Sequence, residues 1–317
     1  MGAMKMTKYV TAMLVLVVAV LAVALFVRGG EVLTALAIST TNSTVATVNI
    51  TASQTVCSPT VCYDADDATD TIHLQGGDQR YVKCNTTCNA PNGWGYIRNY
   101  TGAIGTSGAD CTPSSNLDCY RNASCQNFSV VNTTAQLVQC TYLFWFNADN
   151  TTEVGTWTGN IKAGDIGGST SPTSSDTIGL STLLAIGVEG VLAFNSQTAA
   201  TNETTNTHQH NIYNYGNVEI DFKVNGTAMT CQSGSIAAEY LKANLTSGGN
   251  YQASYSLTSA LSGPDTGGKF GSTNLAKSST TSGAPVVNNK VTYWGIGIPA
   301  GVSGNCESTI WFAAVLS

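Results

Sequence analysis

The run Asn217-Val-Glu-Ile-Asp-Phe-Lys-Val224 sets the fold class. Val218, Ile220, Phe222 and Val224 alternate with Glu219, Asp221 and Lys223, so an extended chain sends apolar side chains to one face and charged ones to the other. The same period of two recurs in Ala46–Ala52, in Thr292–Ile298 and in Ser308–Val315. Gly, Asn and Ser clusters separate these runs at short spacing, the pattern of strands joined by turns in an all-β sandwich. Beyond the N-terminal segment, only Ser235–Ala243 reads as a helical turn or two.

Upstream of that run, the clearest interruption is Ala163–Thr177, a Gly/Ser/Pro-rich stretch whose one large apolar residue is Ile166. It divides the 317 residues into an export segment (1–37), a cysteine-rich sandwich (38–165), a linker (166–177) and a second sandwich (178–317). At the N-terminus, Lys5 and Lys8 precede the apolar run Tyr9–Val27, which as a helix spans about 28 Å, enough to cross a bilayer core. Three readings stay open: an uncleaved membrane anchor, a signal cut near Ala35-x-Ala37, or a pilin-like helix in a filament core. All three export the chain beyond Ala37.

Composition supports export. Only 10% of the residues are charged and the net charge is −6, against about 25% charged in an average soluble protein. With 13 basic residues thinly spread there is no electrostatic footprint for nucleic acid. Asn-x-Ser/Thr occurs at Asn42, Asn49, Asn85, Asn99, Asn122, Asn127, Asn132, Asn150, Asn202, Asn225 and Asn244. N-linked glycans there would replace charge as the solubilising layer.

The ten cysteines, an even number, read as disulfides in an exported chain. Cys57-x4-Cys62 and Cys84-x3-Cys88 imitate zinc spacing, but an oxidising compartment argues against free thiolates. Cys231 and Cys306 are alone in the second sandwich and are expected to bond, closing a long loop.

Chemistry-bearing constellations are sparse. Asp64, Asp66, Asp67 and Asp70 make an oxygen-rich loop of the kind that binds Ca²⁺, without the Gly turn and closing Glu of an EF-hand; the competing reading is an acidic surface loop. His208 and His210 share one face of a strand and could ligate a metal, against a plain solvated face. Asp149 and Glu153 near Trp145 and Trp157 are the only hint of a glycosidase pair. No nucleophile elbow, phosphate loop or dinucleotide fingerprint is present, so neither an enzyme nor a cofactor is expected. Trp145, Trp157 and Trp294 read as core, Trp311 as outward-facing, and Trp94, in a Gly-rich loop, as an exposed contact.

Asn214–Thr227 with Met229-Thr-Cys231, and Val291–Cys306 with Ile310–Val315, resemble a repeated unit in predicted surface proteins of small-genome archaea of the DPANN type. Val82–Asn85 with Asn92-Gly-Trp94, Asn122–Cys125, Cys140–Asp149 and Gly155-Thr-Trp157 resemble their upstream Ig-like unit. The resemblance implies an Ig-like β-sandwich architecture on the cell surface and no activity; with the boundaries above, the chain reads as two Ig-like β-sandwich domains in tandem after one N-terminal hydrophobic helix. With their alternating strands, it also suggests that Cys84 bonds Cys140. Cys62, Cys88, Cys111 and Cys119 depart from the pattern.

Two functions are expected. One is a structural subunit of a filament, sheath or surface layer, associating with itself or with other surface proteins. The other is a monomeric adhesin or glycan binder, tethered to the membrane through Tyr9–Val27. Ile38–Ala52, which precedes the first cysteine, either pairs within its own domain or completes the sheet of a neighbour.

Overall fold

A computed structural model describes residues 54–106, 114–115, 117–122, 125–149, 155–168, 170–171, 174–257, 268–269 and 273–317. The expected helix Tyr9–Val27, the strand Ala46–Ala52, Cys111, Glu153 and the sequons Asn42, Asn49 and Asn150 lie outside them. Gln54–Ser317 forms one compact unit, and its described elements are strands and short 3-10 turns.

In chain order the first half contributes β1 (Val56–Cys57), β2 (Val61–Asp64), β3 (Thr71–Ile72), β4 (Gln79–Asn89), β5 (Ile97–Gly105), β6 (Cys119–Asn122), β7 (Gln126–Val130), β8 (Ala135–Trp145), β9 (Gly155–Asp165) and β10 (Ser174–Leu180). One sheet runs β1-β4-β8-β7, with β2 also on β4; the facing sheet runs β3-β10-β9-β5-β6. β4 and β8 pair over all eleven residues. Val82, Cys84 and Cys88 from β4 meet Val138, Cys140 and Phe144 from β8 in a core closed by Trp157, Ile161 and Ile178 of the other sheet. Trp157 lies edge-on to Phe144 at 4.8 Å between ring centroids, and Tyr120 stacks on Phe144 at 4.2 Å.

The second half contributes β11 (Ile186–Val188), β12 (Thr201–Asn202), β13 (Thr205–Asn206), β14 (His208–Asn214), β15 (Ile220–Gly226), β16 (Met229–Ser233), β17 (Ser235–Ile236), β18 (Leu241–Asn244), β19 (Gly249–Asn250), β20 (Tyr255–Ser256), β21 (Gly268–Lys269), β22 (Asn288–Ile298), β23 (Ser303–Glu307) and β24 (Ile310–Leu316). The sheet β11-β14-β22-β18-β20 packs against β21-β15-β24 and β17-β16-β23. Trp294 is its largest buried side chain. Its indole N–H donates to Thr292 Oγ1, whose hydroxyl donates to the His210 carbonyl, so the polar edge of the ring is satisfied inside the core. Ser235–Ala243 holds a single 3-10 turn, Ala238–Tyr240, between β17 and the start of β18.

The linker at 166–177 is corrected. Ser174–Leu180 is a strand, β10, paired with β9 along its whole length, so the first sandwich runs to Leu180. Five residues then lead to β11, and they are tied down. Ser181 N–H donates to the Ile72 carbonyl, Leu183 N–H to Asn217 Oδ1, and Asn217 Nδ2–H to the Ser181 carbonyl. Alongside, the Tyr215 ring sits against Gly77, where an added Cβ would come within 2.9 Å of Cδ1. Asn147 Nδ2 donates to the carbonyls of Ser278 and Thr280, and Lys277 pairs with Asp149 at 2.6 Å. Gly/Ser/Pro composition signals low side-chain volume, which suits a close-packed joint as well as a free linker.

The disulfides are Cys57–Cys88, Cys62–Cys84, Cys125–Cys140 and Cys231–Cys306, and Cys119 is bonded too. The Cys231–Cys306 expectation agrees with the structure; the Cys84–Cys140 pairing is overturned. Those two residues do stand opposite each other on β4 and β8. Cys84 also stands opposite Cys62 on β2, with Cα atoms 4.1 Å apart. An antiparallel ladder alternates narrow pairs, about 4.5 Å, with hydrogen-bonded pairs, about 5.5 Å. A residue narrow toward one neighbour aims its backbone N–H and C=O at the other, so Cys84 is narrow toward β2 and wide toward β8. The sulfurs bridge the narrow side.

These bonds set the facing strands. A Cβ on Gly159 of β9 would overlap Cys62 Sγ and lie 2.9 Å from Cys84 Sγ; one on Gly102 of β5 would lie 2.6 Å from Cys140 Sγ. Gly159→Ala is therefore expected to cost about 1–3 kcal/mol in urea unfolding, as overpacking against a pinned neighbour does. Gly95→Ala, where a Cβ meets nothing within 4 Å, serves as the silent control. Replacing Cys231 and Cys306 together by Ser should remove about 4 kcal/mol, the chain-entropy value for a 75-residue separation.

Candidate functional site

The acidic loop is a closed electrostatic knot. Asp64 is fully buried at the end of β2; Oδ1 accepts the Asp66 N–H at 3.0 Å, Oδ2 the His73 N–H at 2.9 Å, and both oxygens face Arg80 Nε. Arg80 Nη1 pairs with Asp66 at 2.6 Å. Asp67 accepts from the Thr69 hydroxyl and N–H and meets His73 Nδ1 at 2.9 Å. The Thr69 hydroxyl, ahead of the backbone bond and His73, holds the Asp67 carboxyl below its usual pKa. The oxygen set expected for calcium is thus corrected: ligand atoms of Asp64, Asp67 and His73 converge within 4.8 Å, and neither Asp66 nor Asp70 is among them. Arg80 already supplies positive charge to Asp64 and Asp66. Asp64→Ala should destabilise the fold by about 3 kcal/mol in chemical denaturation, since it leaves the mostly buried Arg80 half-paired, whereas millimolar Ca²⁺ should not raise the melting temperature.

His208 and His210 do not form a solvated face. His208 Nε2 meets Glu203 Oε1 at 2.7 Å, and its ring lies edge-on to Phe194. His210 is 4% exposed, stacks on Phe312 at 5.6 Å, and places Nε2 3.0 Å from the Glu189 carbonyl. Each imidazole thus belongs to a different local network, and the pair does not chelate. Glu189 accepts the Asn211 N–H, which holds its carboxyl below the ordinary range.

Trp157 and Trp294 are core, Trp145 and Trp311 are half-buried, and Trp94 is 41% exposed in a 3-10 turn with Tyr96, 44% exposed. Backbone bonds from Trp94 N–H to the Thr133 carbonyl and from Ile166 N–H to the Tyr96 carbonyl bring exposed Val131 and Ile166 to the same end of the sandwich. Asp149 is held by Lys277, and its carbonyl accepts the Trp157 indole N–H, a structural use of the one described acid of the suggested glycosidase pair.

A glycan must lie in solvent, so burial sorts the sequons. Asn99, Asn127, Asn132 and Asn202 are exposed. Asn85, Asn122 and Asn244 are half-buried, and their Nδ2 groups donate to Tyr63 Oη, the Thr141 carbonyl and Ser254 Oγ. Asn225 is 0% exposed on β15 and is struck from the candidate glycosylation sites.

One concavity among the described residues has little signature in the sequence. Residues 188–199 run beside β23 and β24 and leave two adjoining cavities of about 410 and about 670 Å³. Both are lined by Val191, Leu192, Phe194, Met229, Cys306 and Glu307. The one signal is Ile310–Leu316, seven apolar residues in succession, so the alternation expected over Ser308–Val315 does not hold there. A run that is apolar at both parities reads as a strand covered on both faces, yet every residue of β24 is half-buried or exposed.

No protein-family model matches the chain, and no curated protein matches it. Among solved structures it is similar to one described as BspA_C_WT, at 10% identity and a TM-score of 0.19, covering 82% of this chain and 100% of that one. It is similar likewise to the Streptococcus agalactiae AgI/II polypeptide BspA C-terminal domain (WT), at 10% identity and a TM-score of 0.18, with the same coverage.

Proposed function

We propose that this chain is an extracellular, N-glycosylated structural protein of the cell surface, built from two Ig-like β-sandwiches and acting as a subunit of a surface assembly. The observation that carries the reading is the cysteine chemistry: no described cysteine is free. A body with Cys57–Cys88, Cys62–Cys84 and Cys231–Cys306 set directly across antiparallel ladders belongs in an oxidising compartment. Hydrogen bonds and an ion pair tie the two sandwiches into one compact unit, which suits a load-bearing subunit. Low charge leaves little like-charge repulsion against close packing of copies. Tyr9–Val27 supplies the membrane attachment if it is retained, and neither a cofactor nor catalysis is part of the proposal.

A second reading, a tethered adhesin that binds glycans, is favoured by Trp94 and Tyr96, whose exposed rings are suited to stacking on sugars. Negative-stain microscopy of the purified full chain separates the two. Ordered filaments or sheets support the subunit, and monodisperse particles that lose glycan-array binding on Trp94→Ala support the adhesin. Glycopeptide mapping of protein from a native-type secretory host should find glycans at Asn99, Asn127, Asn132 and Asn202 and none at Asn225. An occupied Asn225 would contradict the burial of β15.

A further inference from the structure

The concavity beside β24 has the form of an unfilled strand position. Among the described residues β24 pairs with β15 alone and β23 with β16 alone; the β17 hairpin lies on the far side of β16. Both therefore present a free edge on the same side of the sandwich. Residues 189–199 face that edge without continuing it. Glu189 N–H donates to the Asn211 carbonyl and Ala200 N–H to the Pro299 carbonyl. Among the described residues no backbone hydrogen bond joins 189–199 to β23 or β24. The slot is walled by Val191, Leu192 and Phe194 on one side and by Ile310 and Phe312 on the other, with Met229 between them. Its charged walls are Glu189 and Glu307, with His210 at the base and no Lys or Arg. Along this edge β24 has no charge, no proline and no bulge against β15, whereas β23 carries Glu307 and a register shift against β16.

We propose that this slot receives the segment Ala46-Thr-Val-Asn-Ile-Thr-Ala52 of a neighbouring copy, added as a strand along β23 and the start of β24, the part of the edge that lines the slot. The proposal rests on the assembly reading above and names its contact. The segment has the period of a half-buried strand: Val48 and Ile50 share the face that would enter the slot, and Thr47, Asn49 and Thr51 share the face left in solvent. It carries no charge, so nothing on it must be desolvated beside Glu189 and Glu307. Its sequon, Asn49, falls on the solvent face, where a glycan is compatible with docking. An added strand pairs the free N–H and C=O groups of β23 and the start of β24, giving affinity through the main chain and specificity through the two apolar side chains. A neighbour's slot is the one the assembly reading requires, because strand addition between copies builds an assembly and addition within one chain does not.

The test uses the full chain. Ile50→Cys and Val191→Cys variants are made separately, mixed under mild oxidation and mapped by peptide mass spectrometry. In parallel, Val48→Asp/Ile50→Asp is compared with wild type by mass photometry. The expected result is a disulfide joining positions 50 and 191 in the mixture and in neither variant alone. The assembled fraction of the double variant is expected to fall about a hundredfold through loss of two buried apolar side chains. An unchanged melting temperature confirms that the folded body is intact. Assembly that persists in the double variant, without the cross-link, overturns strand donation and leaves the assembly reading standing. The same result, with an Ala313→Cys variant that cross-links to its own copy, assigns the edge to a symmetric pair instead. Wild-type protein that stays monomeric and takes up no synthetic peptide of residues 45–53 overturns both readings.

Discussion

In an antiparallel ladder a residue can be close to only one of its two cross-strand neighbours, and the first sandwich is organised around that constraint at β4. Cys84 and Cys88 lie on its inward face, two repeats of the pleat apart. Each is narrow toward the short strands β1 and β2, so each bonds outward to Cys57 or Cys62. This leaves the long β4–β8 ladder held by hydrogen bonds and side-chain packing alone. The staples thus fasten the weakest strands, of two and four residues, to the strongest one. Their sulfurs then occupy inter-sheet space that only glycine can leave open on the facing strand, which is why Gly159 lies across from the Cys62–Cys84 bond.

The same economy of side-chain volume governs the joint between the sandwiches. Tyr215 fits because Gly76, Gly77 and Gly187 have no Cβ to obstruct it or its neighbour Ala185. Asn147 and Asn217 then satisfy backbone groups across the junction that neither sandwich covers by itself. Asparagine can do this because one side chain both donates and accepts. With one residue in ten charged, the chain relies on amides where another protein would use ion pairs, and amides cost less to bury.

The second sandwich shows how an outer face can become interior. β15 is buried on both sides. Asp221, expected in solvent, instead accepts the backbone N–H groups of Thr273 and Asn274 and the Thr273 hydroxyl. Its partner β24 has the opposite fate: it is apolar throughout and covered on neither side completely. A strand's periodicity tells which residues share a face but not what lies against that face.

Legibility in the sequence divides along that line. Period-two alternation in 217–224 and 292–298 is a property of the pleat itself, so strand content, the sandwich class and the isolated pair Cys231–Cys306 could be read directly. The bonded state of the described cysteines could be read from their even number. Other features depended on neighbours distant in sequence. Cys84 had partners on two sides, and only ladder phase selected Cys62. Asn225 had a valid sequon, and only the covering of β15 removed it. The stretch 166–177 had linker composition, and only its pairing with β9 made part of it a strand. The slot beside β24 is no property of any one segment: it exists because residues 188–199 pass an edge strand without pairing to it, and that is decided by where the two sheets end in space.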